Sequence, residues 1–124
     1  MTLLAKRQER SIVPRMYYIT TAIDYTNGPP HIGHAYEKVL ADVLARWHRM
    51  KGEEVYFLTG VDQHGQKVQQ TAEKLGITPQ EHVNNITEQF LALWNRLGIS
   101  NDGWASTTDP RHKACVQKIL TDLK

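Results

Sequence analysis

The chain has 124 residues, 40% of them hydrophobic and 23% charged, enough for one small domain with a modest core. Its formal net charge of +2 is too near zero to argue by itself for a nucleic-acid partner. The lone cysteine, Cys115, excludes an internal disulfide and a multi-thiolate zinc site.

One thiol fits a reducing compartment, and a cytoplasmic protein is the expectation. Residues 1–15 carry Lys6, Arg7, Arg10 and Arg15 against Glu9, with Leu3 and Leu4 too few for a signal peptide. They read as a disordered basic tail, and residues 16–124 as the folded part. No apolar run approaches a membrane span.

Met16 to Ala22 is rich in aromatic and β-branched residues and predicts a strand. Asn27-Gly28-Pro29-Pro30 breaks regular structure. A helix should begin near His31 or Gly33, its inward stripe being Tyr36, Val39, Leu40, Val43, Leu44 and Trp47, and should stop at Gly52. Val55 to Thr59 predicts a second strand, and Gly60 to Gly65 a turn-rich loop. Val68, Ala72 and Leu75 suggest a short helix ending at Gly76.

Thr78-Pro79-Gln80-Glu81 predicts a helix start with a capping box. Val83, Ile86, Phe90, Leu93, Trp94 and Leu97 form its stripe, which is expected to face segments this chain lacks. Residues 99–108 read as a loop with an extended piece at Trp104 to Ser106. A last helix opens at Asp109-Pro110, with Val116, Ile119, Leu120 and Leu123 inward and Cys115 a small buried thiol. Strand–helix–strand implies a parallel βαβ unit, and two strands make an incomplete α/β sheet.

His31-Ile32-Gly33-His34 falls where a strand has ended and a helix begins. Ligands of open α/β sheets sit at the carboxyl ends of strands, and a helix N-terminus suits phosphate. Gly33 removes a side chain where a nucleotide would approach the backbone. His31 and His34 lie three apart on one helix face and can donate hydrogen bonds to phosphate oxygens as charge develops. Alone, a His-x-x-His is common and equally describes a surface pair. Half a zinc site is the weaker alternative, because the helical zinc motif spaces its histidines i, i+4 around a glutamate.

The run from Thr20 to Tyr36, which reads TTAIDYTNGPPHIGHAY, resembles the first signature of class I aminoacyl-tRNA synthetases. Its flanks, Ala41 to Arg49, Phe57 to Gly65, and Thr107-Thr108-Asp109 with His112, resemble the methionyl-tRNA synthetase family most. The resemblance spans residues 16 to about 120. It implies a partial Rossmann-like nucleotide-binding fold with parallel strands and flanking helices. It implies ATP, with Mg2+, as substrate. By the same resemblance, His31 and His34 are catalytic and bind ATP with Asn27 and Gly33, while Ile23, Tyr25 and Asp62 bind methionine. The implied activity is methionine–tRNA ligation through methionyl-adenylate.

The implied partners are methionine, ATP, tRNA and the remainder of such a synthetase, with no membrane and no metal site in this chain. The second signature, Lys-Met-Ser-Lys-Ser, is absent, so the chain reads as a piece that cannot charge tRNA efficiently alone. A nucleotidyl transferase with a His-x-Gly-His loop explains the motif but not the flanks. A non-catalytic nucleotide-binding module is the third reading. Core positions for Ile23 and Tyr25, and a helix cap for Asp62, are the ordinary alternatives within the site.

Overall fold

In a computed structural model, residues 16–124 are described, and the expected basic tail at 1–15 lies outside them. The elements are β1 (Tyr17–Tyr25), α1 (Ile32–Met50), β2 (Val55–Asp62), α2 (Gln66–Leu75), α3 (Pro79–Leu97), β3 (Gly103–Ser106) and α4 (Pro110–Asp122). The three strands form a parallel sheet in the order β1-β2-β3. The extended piece expected near Trp104 is therefore a true third strand. A Cβ on Gly60 would lie 2.0 Å from the Ala105 carbonyl oxygen, so only glycine lets β3 approach there.

Strand alternation explains the core. Phe57 and Val61 point to one face of β2. Phe57 meets Ala41 and Ala45 of α1, and Val61 meets Ile86, Phe90 and Trp94 of α3. Both helices therefore cover the same face. Successive crossovers of one hand in a sequentially ordered sheet produce this arrangement. The opposite face carries Tyr18 and Tyr56, exposed and stacked on each other with ring centroids 5.8 Å apart.

Several expectations are corrected. The stripe of α3 does not face missing segments: Val83, Ile86, Phe90 and Trp94 are buried within this chain. The stripe of α1 is the one left outside, with Tyr36, Val39, Leu40, Val43, Leu44 and Trp47 between 39% and 71% exposed. The sheet takes a different strip of α1, made of Lys38, Ala41, Asp42 and Ala45. Two alanines let the helix lie close on Phe57. The polar residues are satisfied at the strip's edge: Asp42 Oδ1 accepts from the Ser100 amide at 2.7 Å and its hydroxyl at 2.6 Å. Burial raises the Asp42 pKa, but these bonds and Arg46 outweigh it and hold the carboxyl below the usual range.

On α4, no residue is buried, and Val116, Ile119, Leu120 and Leu123 are exposed rather than inward. Cys115 is exposed too. The helix follows the last strand and finds no second layer among the described residues to cover it. Thr78 caps α3 by accepting from the Glu81 amide at 3.1 Å. The reciprocal capping box forms at α1 instead, between His31 and His34.

Candidate active site at the carboxyl ends of β1 and β2

The site begins with an irregularity in β1. Thr20 pairs with Leu58 and Ile23 with Gly60, so Thr21 and Ala22 both lie opposite Thr59. One extra residue is a β-bulge, and it inverts the alternation beyond it. Before the bulge, Ile19 faces the helices; after it, the buried residues are Asp24 and Thr26. Ile23 and Tyr25 are thereby turned away from the helix-covered core, Ile23 being exposed and Tyr25 half-buried.

Tyr25 pairs directly with Asp62 across the strands. Its ring lies over Gly65, where a Cβ would come within 2.2 Å of the Tyr25 hydroxyl and where φ is +132°. Gly65 is thus required twice, for backbone conformation and for space. Asp62 Oδ1 accepts from the His64 amide and from the Thr107 hydroxyl, each at 3.3 Å. Its Oδ2 has no hydrogen-bond partner among the described residues. Asp62 does not cap α2, whose N-cap is Gly65 without a side-chain bond.

Behind Asp62 stands a polar support that the sequence did not reveal. Buried Gln63 donates from its backbone to Thr107 Oγ1 at 2.8 Å and from Nε2 to Thr87 Oγ1 at 2.9 Å. Its Oε1 accepts from the Ser106 and Thr108 hydroxyls. The signal available was the hydroxyl run Ser106-Thr107-Thr108 beside a conspicuous Gln63. Nothing in the sequence said that β3 would carry that run alongside β2.

After Thr26, the chain turns through Asn27, exposed, to α1. His31 is the N-cap. Its Nδ1 accepts from the Gly33 amide at 3.1 Å, and His34 Nδ1 accepts from the His31 amide at 3.2 Å. An accepting Nδ1 carries no proton, so each neutral ring keeps its N–H at Nε2. The rings stack with centroids 3.7 Å apart. Burial, then the neighbouring His31 and Lys38 charges, lower the His34 pKa against the opposing pull of Asp24. This geometry suits neutral hydrogen-bond donors to an anion, not a nucleophile or a metal pair. It also uses the Gly33 amide in the cap, so that N–H is not free for phosphate. A Cβ on Gly33 would lie 3.0 Å from the His31 ring, so the glycine also makes room for the cap.

Two further concavities, of about 320 and 340 Å³, lie against α4. They are lined by residues such as His112, Asp109 and His64 and include none of Ile23, Tyr25, Asp62, His31 or His34. Among the described residues, no group of three or more His, Cys, Asp or Glu could hold a metal ion.

Known proteins share this architecture. The family described as tRNA synthetases class I (M) matches residues 17–124. The methionine–tRNA ligase of Deinococcus radiodurans is 51% identical over 107 residues, 86% of this chain and 16% of that protein. That of Streptomyces coelicolor is 49% identical over 110 residues, 88% of this chain and 20% of that protein. Among solved structures, the Mycobacterium tuberculosis methionyl-tRNA synthetase in complex with methionyl-adenylate superposes with a TM-score of 0.77 at 42% identity. That match covers 79% of this chain and 19% of that one. The chain thus spans a fifth or less of the length of these relatives.

Proposed function

The chain belongs to the class I tRNA synthetases of the methionine group, and we propose that it supplies the amino-acid-facing and phosphate-facing wall of a methionine–tRNA ligase. The observation that carries this reading is the placement of Tyr25 and Asp62, paired at the carboxyl ends of β1 and β2, and of the His31–His34 cap at the start of the helix that follows β1. Ile23 and Tyr25 offer an apolar and aromatic lining that suits a thioether. Asp62 Oδ2 pairs with the substrate ammonium. Asn27 and Gly33 lie along the nucleotide.

The reaction joins methionine and ATP. The methionine carboxylate attacks the α-phosphorus, and pyrophosphate leaves with its Mg2+, which arrives on the nucleotide. The Nε2–H groups of His31 and His34 bind phosphate oxygens most strongly as negative charge develops in the transition state. Because each Nδ1 already accepts a backbone amide, it is the Nε2–H that each ring presents to phosphate. Transfer of the methionyl group to tRNA requires the rest of a synthetase. The exposed stripe of α1 supports association with such a remainder, in the cytoplasm. Among the described residues, no helix is long and apolar enough to cross a membrane.

The test is binding of a non-hydrolysable methionyl-adenylate analogue, with its isoleucyl counterpart as control. Chemical shifts should move at Tyr25, Gly33 and Asp62 with the methionyl compound only. His31→Ala and Asp62→Ala should each abolish the response. Equal response to ATP alone, with no dependence on the amino acid, would leave only a nucleotide-binding module.

A further inference from the structure

Lys38 is wholly buried, yet the site described above does not use it. Its Nζ donates to Asp24 Oδ1 at 2.9 Å, Glu37 Oε2 at 2.9 Å and the Ala22 carbonyl at 3.0 Å. It also lies 5.6 Å from the centroid of the Trp94 ring on α3. Glu37 Oε1 accepts from the Ala22 amide at 3.0 Å. Ala22 is one of the two bulge residues, so both of its backbone groups, which the bulge withdraws from regular pairing, are taken up by adjacent side chains of α1. The Thr21 hydroxyl adds a second donor to the Ala22 carbonyl at 2.9 Å.

We infer that Asp24, Glu37 and Lys38 are positioning residues: they hold the β1 bulge that turns Ile23 and Tyr25 toward the methionine side, and they tie it to the helix that carries His31 and His34. This inference rests on the proposed methionine pocket for its functional half. A strand without the extra residue would continue its odd-numbered row, Tyr17, Ile19 and Thr21, through Ile23 and Tyr25 into the helix-covered core. A bulge also frees backbone groups that must find partners. Here the partners come from two consecutive residues of α1, one turn beyond His34. Asp24 is the first buried residue after the inversion, so its carboxylate pairs with Lys38 only when the bulge is present. Buried ion pairs seldom raise stability, and in some proteins their role is to specify one arrangement; here that arrangement is which face of β1 Tyr25 occupies.

The experiment uses the whole chain and two readouts, amide exchange at Ala22 and L-methionine affinity. Asp24→Leu, Glu37→Leu and Lys38→Met together replace the three side chains by apolar groups of similar size, which keeps the core filled and removes the α1 partners of both Ala22 backbone groups. We expect that variant to remain folded, to exchange the Ala22 amide faster, and to bind methionine roughly tenfold or more weakly, as a misplaced contact does. Asp24→Asn keeps an acceptor for Lys38 and should hold affinity within about threefold. A triple variant with Ala22 still protected, or with methionine affinity unchanged, would overturn the inference. If the unaltered chain binds no methionine, the pocket reading fails instead, and exchange at Ala22 alone decides whether the cluster holds the bulge.

Discussion

Helices α1 and α3 each span 19 residues and each carry a clean apolar stripe, yet they spend those stripes differently. On α3 the stripe is the core. On α1 it faces outward, while a strip of two alanines, an aspartate and a lysine faces the sheet. Apolar periodicity says that a face becomes covered; it does not say by what. An amphipathic helix between two partners needs two strips, and the more apolar one need not belong to the nearer partner. On α1 the polar strip is tolerable because Lys38 and Asp42 are hydrogen-bonded at every turn.

The contrast can be broken by truncation. Phe90→Ala on α3 removes a fully buried ring that touches Trp94 and His34, and should destabilise the chain by about 3–5 kcal/mol in chemical unfolding. Thr78→Ala removes the side-chain cap of α3, with an expected loss of about 1 kcal/mol in the same measurement. Val43→Ala on the outer stripe of α1 should change stability by no more than about 0.5 kcal/mol. Val43→Ser with Leu40→Ser should lower binding of a hydrophobic dye without lowering the unfolding midpoint. A loss at Val43 comparable to that at Phe90 would mean that the stripe is already covered in this chain.

The same two helices show what was legible. Helix α3 was legible in its extent, through its cap, stripe and glycine stop, but not in what its stripe covers, because Val61 and Ala35 lie far from it in sequence. Helix α1 was legible in extent and not in orientation. Its inward face depends on Phe57 and on the bulge at Ala22, neither of which leaves a periodic trace. The strand β3 is four residues long and shows only as a short extended piece, since pairing with β2 rather than propensity makes it a strand. The candidate residues were proposed as a set from the resemblance. Their support was not: Gln63, Lys38 and Asp24 look like ordinary polar surface residues until the fold buries them.

His34 sits where the two helices meet, its ring edge-on to Phe90 with centroids 5.1 Å apart. It is therefore the place where pH should act on the contrast between them. Burial lowers its folded pKa below the ordinary imidazole value of 6.5, so between the folded value and 6.5 the unfolded chain binds more protons than the folded one. Stability from this group is present above 6.5 and is lost as pH falls through the folded value. Asp24 works in the opposite sense at its own, lower starting point: burial raises its pKa above 3.8 despite Lys38, and its Oδ2 is buried without a partner. Stability from Asp24 is present below 3.8 and is lost as pH rises through its folded value. The total profile therefore mixes two opposed slopes, and a variant is needed to separate them. His34→Asn places an oxygen where Nδ1 accepted the His31 amide, keeping the cap but removing the titration. Its unfolding free energy should lose less than the unaltered chain does between pH 7 and 5, by a modest margin because His34 is only partly buried. Parallel profiles for the two proteins would mean that His34 protonates freely and that the α1–α3 contact does not feel its charge.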